Sequence, residues 1–588
     1  MFFSTCKVSQ VEQSGLRRCC WVTKLLAANR LFHARNASGP SAPGVLTVTV
    51  YCLIAEVLAV SAFAASGTGT RAPGQANDSQ AHVPVSAPTP NAAAIFDTGV
   101  PPRPETQIDR IVLDQLQRMG IAPANLCSDA VFIRRVYLDA IGTLPTADEV
   151  KQFMLDKRPD KRRLLIDRLL ERDEFADYWA MKWCDLLRVK AEFPINLWPN
   201  AAQAYHRWVR SALRQNMPYD RFARDLLTAS GSNFRVPQVN FYRAMQDRSP
   251  EGVARAVALT FMGVRAEKWP ANSLKGMAAF FSQLGYKTTG EWKEEIVYWN
   301  PAATNAQLAG VLPDGTRVEF NGERDPRELF ADWLVNPQNP WFTRNIVNRV
   351  WSWLFGRGVV HEPDDIRPDN PPVNPALLVY LEHELIGANY DLKHIYRLIL
   401  NSHIYQLSSL SPTNAAVAGA NFAFYPVRRL DAEVIIDALN QITGATDQYI
   451  SPVPEPFTVL PEAVRAIALP DASITSPTLE LFGRPPRDTG VESERNNRLT
   501  AAQRLYLLNS SAIQRKLEQS RLIRSLANAD VPLPDAVTTL YLTILSRYPT
   551  ETELRTVQAY ADSGATRTQT ILDVAWALIN SAEFIYRH

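Results

Sequence analysis

The chain has 588 residues, 46% of them hydrophobic and 21% charged, with 62 basic residues against 60 acidic and a formal net charge of +2. This is ordinary globular material, long enough for two or more sizeable cores. So even a charge balance gives no reason to expect nucleic acid or an anionic membrane surface as a partner.

The first hundred residues set a compartment rather than a fold. Val45–Ala65 reads VLTVTVYCLIAEVLAVSAFAA, an apolar run with Arg30 and Arg35 ahead of it and the small-residue end Ala62-Phe63-Ala64. That pattern fits a secretory signal peptide, the 1–65 leader being long enough that the true start would lie downstream of Met1. An uncleaved anchor is the alternative, opposed by Glu56 in mid-run, and it is the only membrane contact expected. Either reading exports the bulk of the chain, to the periplasm or cell envelope. Residues 66–106, rich in Ala, Pro, Ser, Thr and Gly, read as a flexible linker. Cys6, Cys19, Cys20 and Cys52 fall in the leader, leaving Cys127 and Cys184, whose pairing the sequence leaves open. No C-x-x-C and no C-x-x-C-H occurs, which excludes a cysteine-attached c-type haem, a Cys-rich zinc site and a standard thiol redox motif; no cofactor is expected.

From Gln107 the apolar spacing is helical. IDRIVLDQLQRMG and DAVFIRRVYLDAIG each end at Gly, and Thr146 with Glu149 three residues on is a capping box that starts a new helix. KRRLLIDRLLERDEF, DYWAMKWCDLLRVKAEF, QAYHRWVRSALRQN and YDRFARDLLTASG continue the pattern. Between 286 and 322 the period changes: EEIVYW is strand-like, and GVLPDGTRVEF is strand, Pro-Asp-Gly turn and strand. Helices then resume to the end, interrupted by a Pro-rich loop (Pro452, Pro454, Pro456, Pro461) and by Ser473–Asn497. The expected fold is mainly α, with helical regions over 107–285 and 323–588 and a small β insert at 286–322. A weak repeat joins the two ends. Tyr137-Leu138 stand eight residues before Pro145-Thr146, with Glu149 following, and Tyr541-Leu542 stand eight before Pro549-Thr550, with Glu553 following. Convergent capping and duplication of a helical unit both explain it.

The stretch that organises the rest is NPWFTRNIVNRVWSWLFGRGVVHEPDD, Asn339–Asp365. Asn339 is a good N-cap, Pro340 suits the first helical position, and Gly356 suits a left-handed C-terminal cap. Apolar residues cover about two-thirds of this helix, so it must be enclosed by its neighbours. Its remaining stripe carries Asn345, Asn348, Arg349 and Ser352. Unpaired buried donors cost about 1–3 kcal/mol each, so the stripe either knits helices together or holds a ligand.

With RRVYLDAIGTLPTADEV (Arg134–Val150), FADYWAMKWCDLLR (Phe175–Arg188), the central stretch, YDLKHIYRLILNSHIYQLSS (Tyr390–Ser409), RRLDAEVIIDAL (Arg428–Leu439) and FGRPPRDTGVESER (Phe482–Arg495) in this order, the chain resembles the planctomycete-type tandem of exported domains of unknown function. In that tandem a cytochrome-c-associated first domain precedes a planctomycete-specific second one; the resemblance spans about 107–588, without the cytochrome c domain. It implies an exported, mainly helical protein and no reaction. Two departures matter. Where many relatives carry a C-x-x-C-H-like stretch, this chain has Val264–Pro270 without Cys or His, and Gly490, Val491 and Ser493 stand where many carry cysteines before the Glu-Arg pair. Metal and redox roles are therefore not carried over.

Three polar groups are candidates for chemistry. His361, Glu362, Asp364 and Asp365 follow the central helix. Oxygen ligands in a loop suit calcium or magnesium, although the spacing matches neither an EF-hand nor H-E-x-x-H, and ion pairs with Arg344, Arg349, Arg357 or Arg367 are the ordinary alternative. His403, Tyr405, Arg428, Arg429, Asp431 and Glu433 form the second group. Within it Asp431 is expected to cap the next helix, and His403 reads as a satisfied core histidine. Glu494, Arg495, Asn496 and Asn497 form the third. No G-x-S-x-G, Walker or Rossmann pattern has a supporting context. Trp292, Tyr298 and Trp299 offer rings for sugar stacking, half-buried packing being the alternative.

The favoured function is a binding or scaffold role on polymeric carbohydrate or envelope proteins. A hydrolase is the first alternative, with His361, Asp364, Asp365 and Asp431 as catalytic candidates and Asn345, Asn348, Arg349, Arg428 and Arg495 as ligand-binding candidates. A redox-associated protein is the second, demoted by the missing cysteines.

Overall fold

The computed structural model describes residues 95–588 apart from 304–305, 412–414, 460–462 and 529. The leader with its apolar run and four cysteines, and the linker up to 94, lie outside the described residues. Residues 95–106 differ from the expected linker. Asp97 bridges Cys127, the Thr98 N–H donates to the Leu126 carbonyl at 3.0 Å, the Ser128 hydroxyl donates to the Ile95 carbonyl, and His403 Nδ1 accepts from the Arg103 N–H at 3.1 Å. A segment whose backbone groups find fixed partners is tied to the body, whatever its Pro content.

The first region is built from α1 Gln107–Arg118, α2 Asp129–Ala140, α3 Ala147–Leu155, α4 Lys161–Leu170, α5 Asp173–Leu186, α6 Pro199–Arg214, α7 Tyr219–Thr228 and α8 Pro250–Val257. Thr146 and Glu149 make the expected capping box at the start of α3. α8 runs into a π-helical turn, Ala258–Met262, closed by Gly263 in the left-handed region. The β insert opens two residues early. Strands β1 Gly231–Ser232, β2 Leu284–Thr288 and β3 Glu295–Trp299 form an antiparallel sheet in the order β1-β3-β2, with Tyr286 opposite Val297. β4 Ala309–Val311 and β5 Arg317–Glu319 form the hairpin around Pro313-Asp314-Gly315, Gly315 taking φ +90°.

In the second region, α9 Pro326–Leu334 leads to the central helix α10 Phe342–Phe355, then α11 Pro375–Gly387, α12 Leu392–Asn401 and α13 Ala432–Thr443. α14 Leu533–Leu545, α15 Glu551–Asp562 and α16 Arg567–Ile579 close the bundle. α10 starts two residues later than its sequence suggests, so Trp341 and not Asn339 takes the N-cap position and Pro340 stays outside the helix, although Asn339 Oδ1 accepts from the Trp341 and Phe342 N–H groups at 3.0 and 3.1 Å. Every α10 residue except Arg344 is buried, and Gly356 ends the helix at φ +72° as expected.

The two helical regions share one continuous core, so sequence rather than packing divides them. α4 packs on α12, and α3 on α14. Arg134 of α2 donates to the Ile544 and Phe584 carbonyls, and its neighbour Arg135 to those of Tyr405 and His588. Cys127 and Cys184 are both buried and form no disulfide among the described residues. No helix among the described residues is long and apolar enough to cross a membrane.

Candidate ligand cleft

The polar stripe of α10 turns inward and is spent on structure. The π-helical turn leaves carbonyls outside the regular ladder, and α10 collects them. Asn345 Nδ2 donates to Thr260 at 3.0 Å, and Arg349 reaches Leu259 at 3.4 Å. The approach is close enough that a Cβ on Gly263 would sit 2.6 Å from the Asn345 oxygen. Asn348 exchanges two hydrogen bonds with the backbone of Val360, at 2.8 and 3.0 Å. Arg349 pairs with Asp364 at 2.8 Å, both 1% exposed, and the second Asp364 oxygen accepts the Glu492 N–H at 2.6 Å. Both oxygens of Asp364 are occupied.

The hydrolytic set suggested by the sequence therefore does not assemble. Asp364 is closed off, and Asp365 lies at the surface between Lys268 and Arg367, at 3.2 and 3.1 Å. His361 stands at an exposed rim, its pKa lowered by partial burial and by Arg357. Among the described residues no three His, Cys, Asp or Glu side chains gather as a metal site requires.

Beside this closed centre lies a cleft of about 620 Å³ at the junction of the two regions. Its wall takes Lys182 from α5, Ser352 and Trp353 from the end of α10, the rim residues His361–Pro363, and the loop carrying Glu492, Arg495, Asn497 and Arg498. The remaining wall is a two-residue ribbon, β6 Arg428–Arg429 paired with β7 Tyr586–Arg587. Register sets Arg428 directly opposite Arg587, a repulsive pairing unless an anion sits between them. Asp139 does so: its Oδ1 accepts from Arg428 at 3.2 Å and Arg587 at 3.1 Å, and its Oδ2 from the Tyr405 and Tyr425 hydroxyls. Arg428 also donates to the Trp353 and Leu354 carbonyls, so this ligand candidate serves as a cationic cap on the C-terminus of α10.

Asp431 occupies the N-cap position of α13 but makes no capping bond. Its oxygens are taken instead by Lys182 (3.1 Å), Asn497 (2.7 Å), the Tyr178 hydroxyl (3.0 Å) and Arg587 (2.7 Å). Burial pushes this carboxyl up, but Lys182, Arg587 and Arg495 outweigh it and hold the group well below the usual carboxylate range. Burial lowers the Lys182 ammonium against the pull of Asp431. Arg495 bridges Asp185 and Glu433, each at 2.6–2.7 Å, and its charge is spent there. Further along α13, Asp437 accepts the N–H groups of Ala466 and Ile467 at 2.7 and 3.1 Å, with Arg465 3.6 Å away. Burial pushes its pKa up to about 6.

Arg429 is the exception in this wall. Among the described residues it alone of the buried wall arginines makes no ion pair: 2% exposed, it donates to the carbonyls of Phe482, Asn496 and Asn497 and to the Asn497 side chain, and its Nη1, like the Nε of Arg428 and of Arg587, has no hydrogen-bond partner there. Burial outweighs the pull of Asp431 and takes its pKa down to about 10. Of the nine site residues proposed from sequence, Asp431, Arg428, Arg495 and His361 meet at this cleft. Asn345, Asn348, Arg349 and Asp364 lie behind its wall, connected through Glu492, and Asp365 lies outside it. Lys182, Tyr178, Asp185 and Arg587 were not anticipated. The available signal was a pair of charges, Lys182 and Asp185, set among Trp179, Trp183 and Leu186 on an inward helix face.

Comparison with known proteins gives two family matches and no function. Residues 107–268 match PSCyt2, a protein of unknown function (DUF1549), and residues 326–561 match PSD1, a protein of unknown function (DUF1553). The β insert falls between the two matches, and Arg587 beyond the second. No curated protein and no solved structure matches. The chain belongs to the proteins that carry these two domains of unknown function in tandem, with a cleft built by both.

Proposed function

We propose that this protein is an exported binding protein whose cleft holds an acidic group of a polymeric carbohydrate. The observation that carries the reading is the leftover charge. Seven cationic side chains line the cleft against three carboxylates. Asp139, Asp185 and Glu433 behind the wall neutralise Arg428, Arg587 and Arg495, but among the described residues no carboxylate pairs with Arg429 or with Arg498 at the mouth. A buried guanidinium with an unused N–H is costly unless an oxyanion completes it. The carboxylates proposed for hydrolysis are committed to internal pairs, which supports binding over bond cleavage. The apolar run at 45–65 supports placing the protein at the envelope.

Affinity electrophoresis in polygalacturonate and in neutral dextran tests this. The expected outcome is stronger retardation by the acidic polymer than by dextran, weakened by salt, and weakened about tenfold in Arg429→Met through loss of a charge-assisted bond. Equal mobility in both gels, or retardation indifferent to Arg429→Met, refutes the reading.

A further inference from the structure

Away from the cleft, three aromatic rings from three distant segments converge at the surface. Trp198 precedes α6, Trp292 sits at the tip of the β2–β3 hairpin, and Phe457 lies in the Pro-rich loop. Their centroids are 4.6 Å (Trp198–Trp292), 5.2 Å (Trp292–Phe457) and 5.5 Å (Trp198–Phe457) apart, at interplanar angles of 71°, 62° and 58°. Edge-on packing of this kind supports a ring without covering both of its faces. Trp292 remains 60% exposed and Phe457 41% exposed. By contrast, the other two aromatic candidates of this insert are accounted for: Trp299 donates to Gln283 at 2.6 Å, and Tyr298 packs over Gly285.

The tip that carries Trp292 is held rigid. Buried Asn233 donates to the Lys293 carbonyl at 3.1 Å and accepts the Glu295 N–H at 2.9 Å, while the Thr289 hydroxyl donates to the Glu294 carboxylate at 2.7 Å. Trp198 and Lys293 both adopt left-handed backbone, at φ +71° and +62°, which non-glycine residues rarely take. That strain is spent on presenting two rings and a cation together. Lys293 Nζ stands 5.2 Å from the Trp198 ring and 5.8 Å from that of Trp292.

We propose that Trp292, braced by Trp198 and Phe457, is a stacking platform for the pyranose rings of a glycan, with Lys293 meeting an acidic substituent on the neighbouring sugar. Sugar rings have flat C–H faces that match an exposed indole, and a rigid presentation lowers the ordering cost of binding. The acidic character of the glycan rests on the cleft reading; the stacking itself does not.

Calorimetry with cellohexaose and with hexagalacturonate on the full chain separates the two. The expected result is that both oligomers bind, that Trp292→Ala weakens both about tenfold, that Trp292→Phe keeps most of the affinity, and that Lys293→Gln weakens only the acidic oligomer. If wild type binds neither oligomer, or Trp292→Ala binds both unchanged with its fold intact by circular dichroism, the platform is overturned. The cleft reading survives that result if Arg429→Met still weakens polygalacturonate binding. Should Trp292→Ala not fold, Trp292→Phe and Lys293→Gln decide: loss of cellohexaose binding in Lys293→Gln also overturns the assignment.

Discussion

Asp364 and Asp431 make an instructive pair. Both are fully enclosed carboxylates held by arginine, yet one ends an internal lock and the other faces an opening. Asp364 has a single cation, Arg349, and the Glu492 N–H, all within the second family region. Asp431 gathers four donors from α5, from the 497 loop and from β7, and thereby joins both family regions at the cleft wall. Burial looks alike in the two places; the number of donors and the connection to the opening separate them.

The largest expected effect follows from that connectivity. Asp431→Ala strands Lys182 in the interior and leaves Arg587 with Asp139 alone, and urea unfolding should show a loss of about 3–5 kcal/mol. A loss under 1 kcal/mol would mean that water or a rearranged Glu492 replaces it. Next comes another buried carboxylate, Asp437, whose one ion pair, with Arg465, is long at 3.6 Å. Its pKa is raised in the fold, so the native state binds the extra proton and stability should fall as pH rises from about 4 to 6. Asp437→Asn should flatten that fall, by up to about 3 kcal/mol. Asp431 has the opposite sign, because its pKa is depressed: its contribution is complete above the usual carboxylate range and is lost as pH drops below it. An unfolding series across pH 2–7, comparing wild type with Asp437→Asn, reads both directions.

Asp364→Ala should cost less than Asp431→Ala, about 2 kcal/mol, because Glu492 remains 3.6 Å from Arg349. Retardation by polygalacturonate should be unchanged in that variant, and a tenfold weakening would place Asp364 in the ligand site after all. The smallest effect is Asp365→Ala, whose ion pairs are at the surface: within about 0.5 kcal/mol by thermal denaturation.

What the sequence made legible was local. Asn339, Gly356 and the Thr146–Glu149 box announced helix ends, because capping needs only residues a few positions apart. The repeat was legible too, and it goes deeper than capping. Burial and then Glu149 raise the Tyr137 phenol as burial and then Glu553 raise that of Tyr541, and Arg172 spans Glu149 and Glu174 as Arg547 spans Glu553 and Glu583. The cleft was largely illegible, since its charges meet across long stretches of chain: Arg587 reaches Asp139 from 448 positions away. Asp431 was recognised as polar and positioned, but its N-cap geometry gave no sign that its side chain was owed to Lys182. No periodicity encodes such a debt.

The shared core has a consequence for how such a protein can be divided. Cut after Asn300, the chain would yield two fragments, each with a peeled hydrophobic flank that the other was shaped to cover. Expressed separately they should aggregate; expressed together they should copurify as a nicked whole, and soluble, independently folded halves would disprove it. On this view neither family module is a finished object without the other.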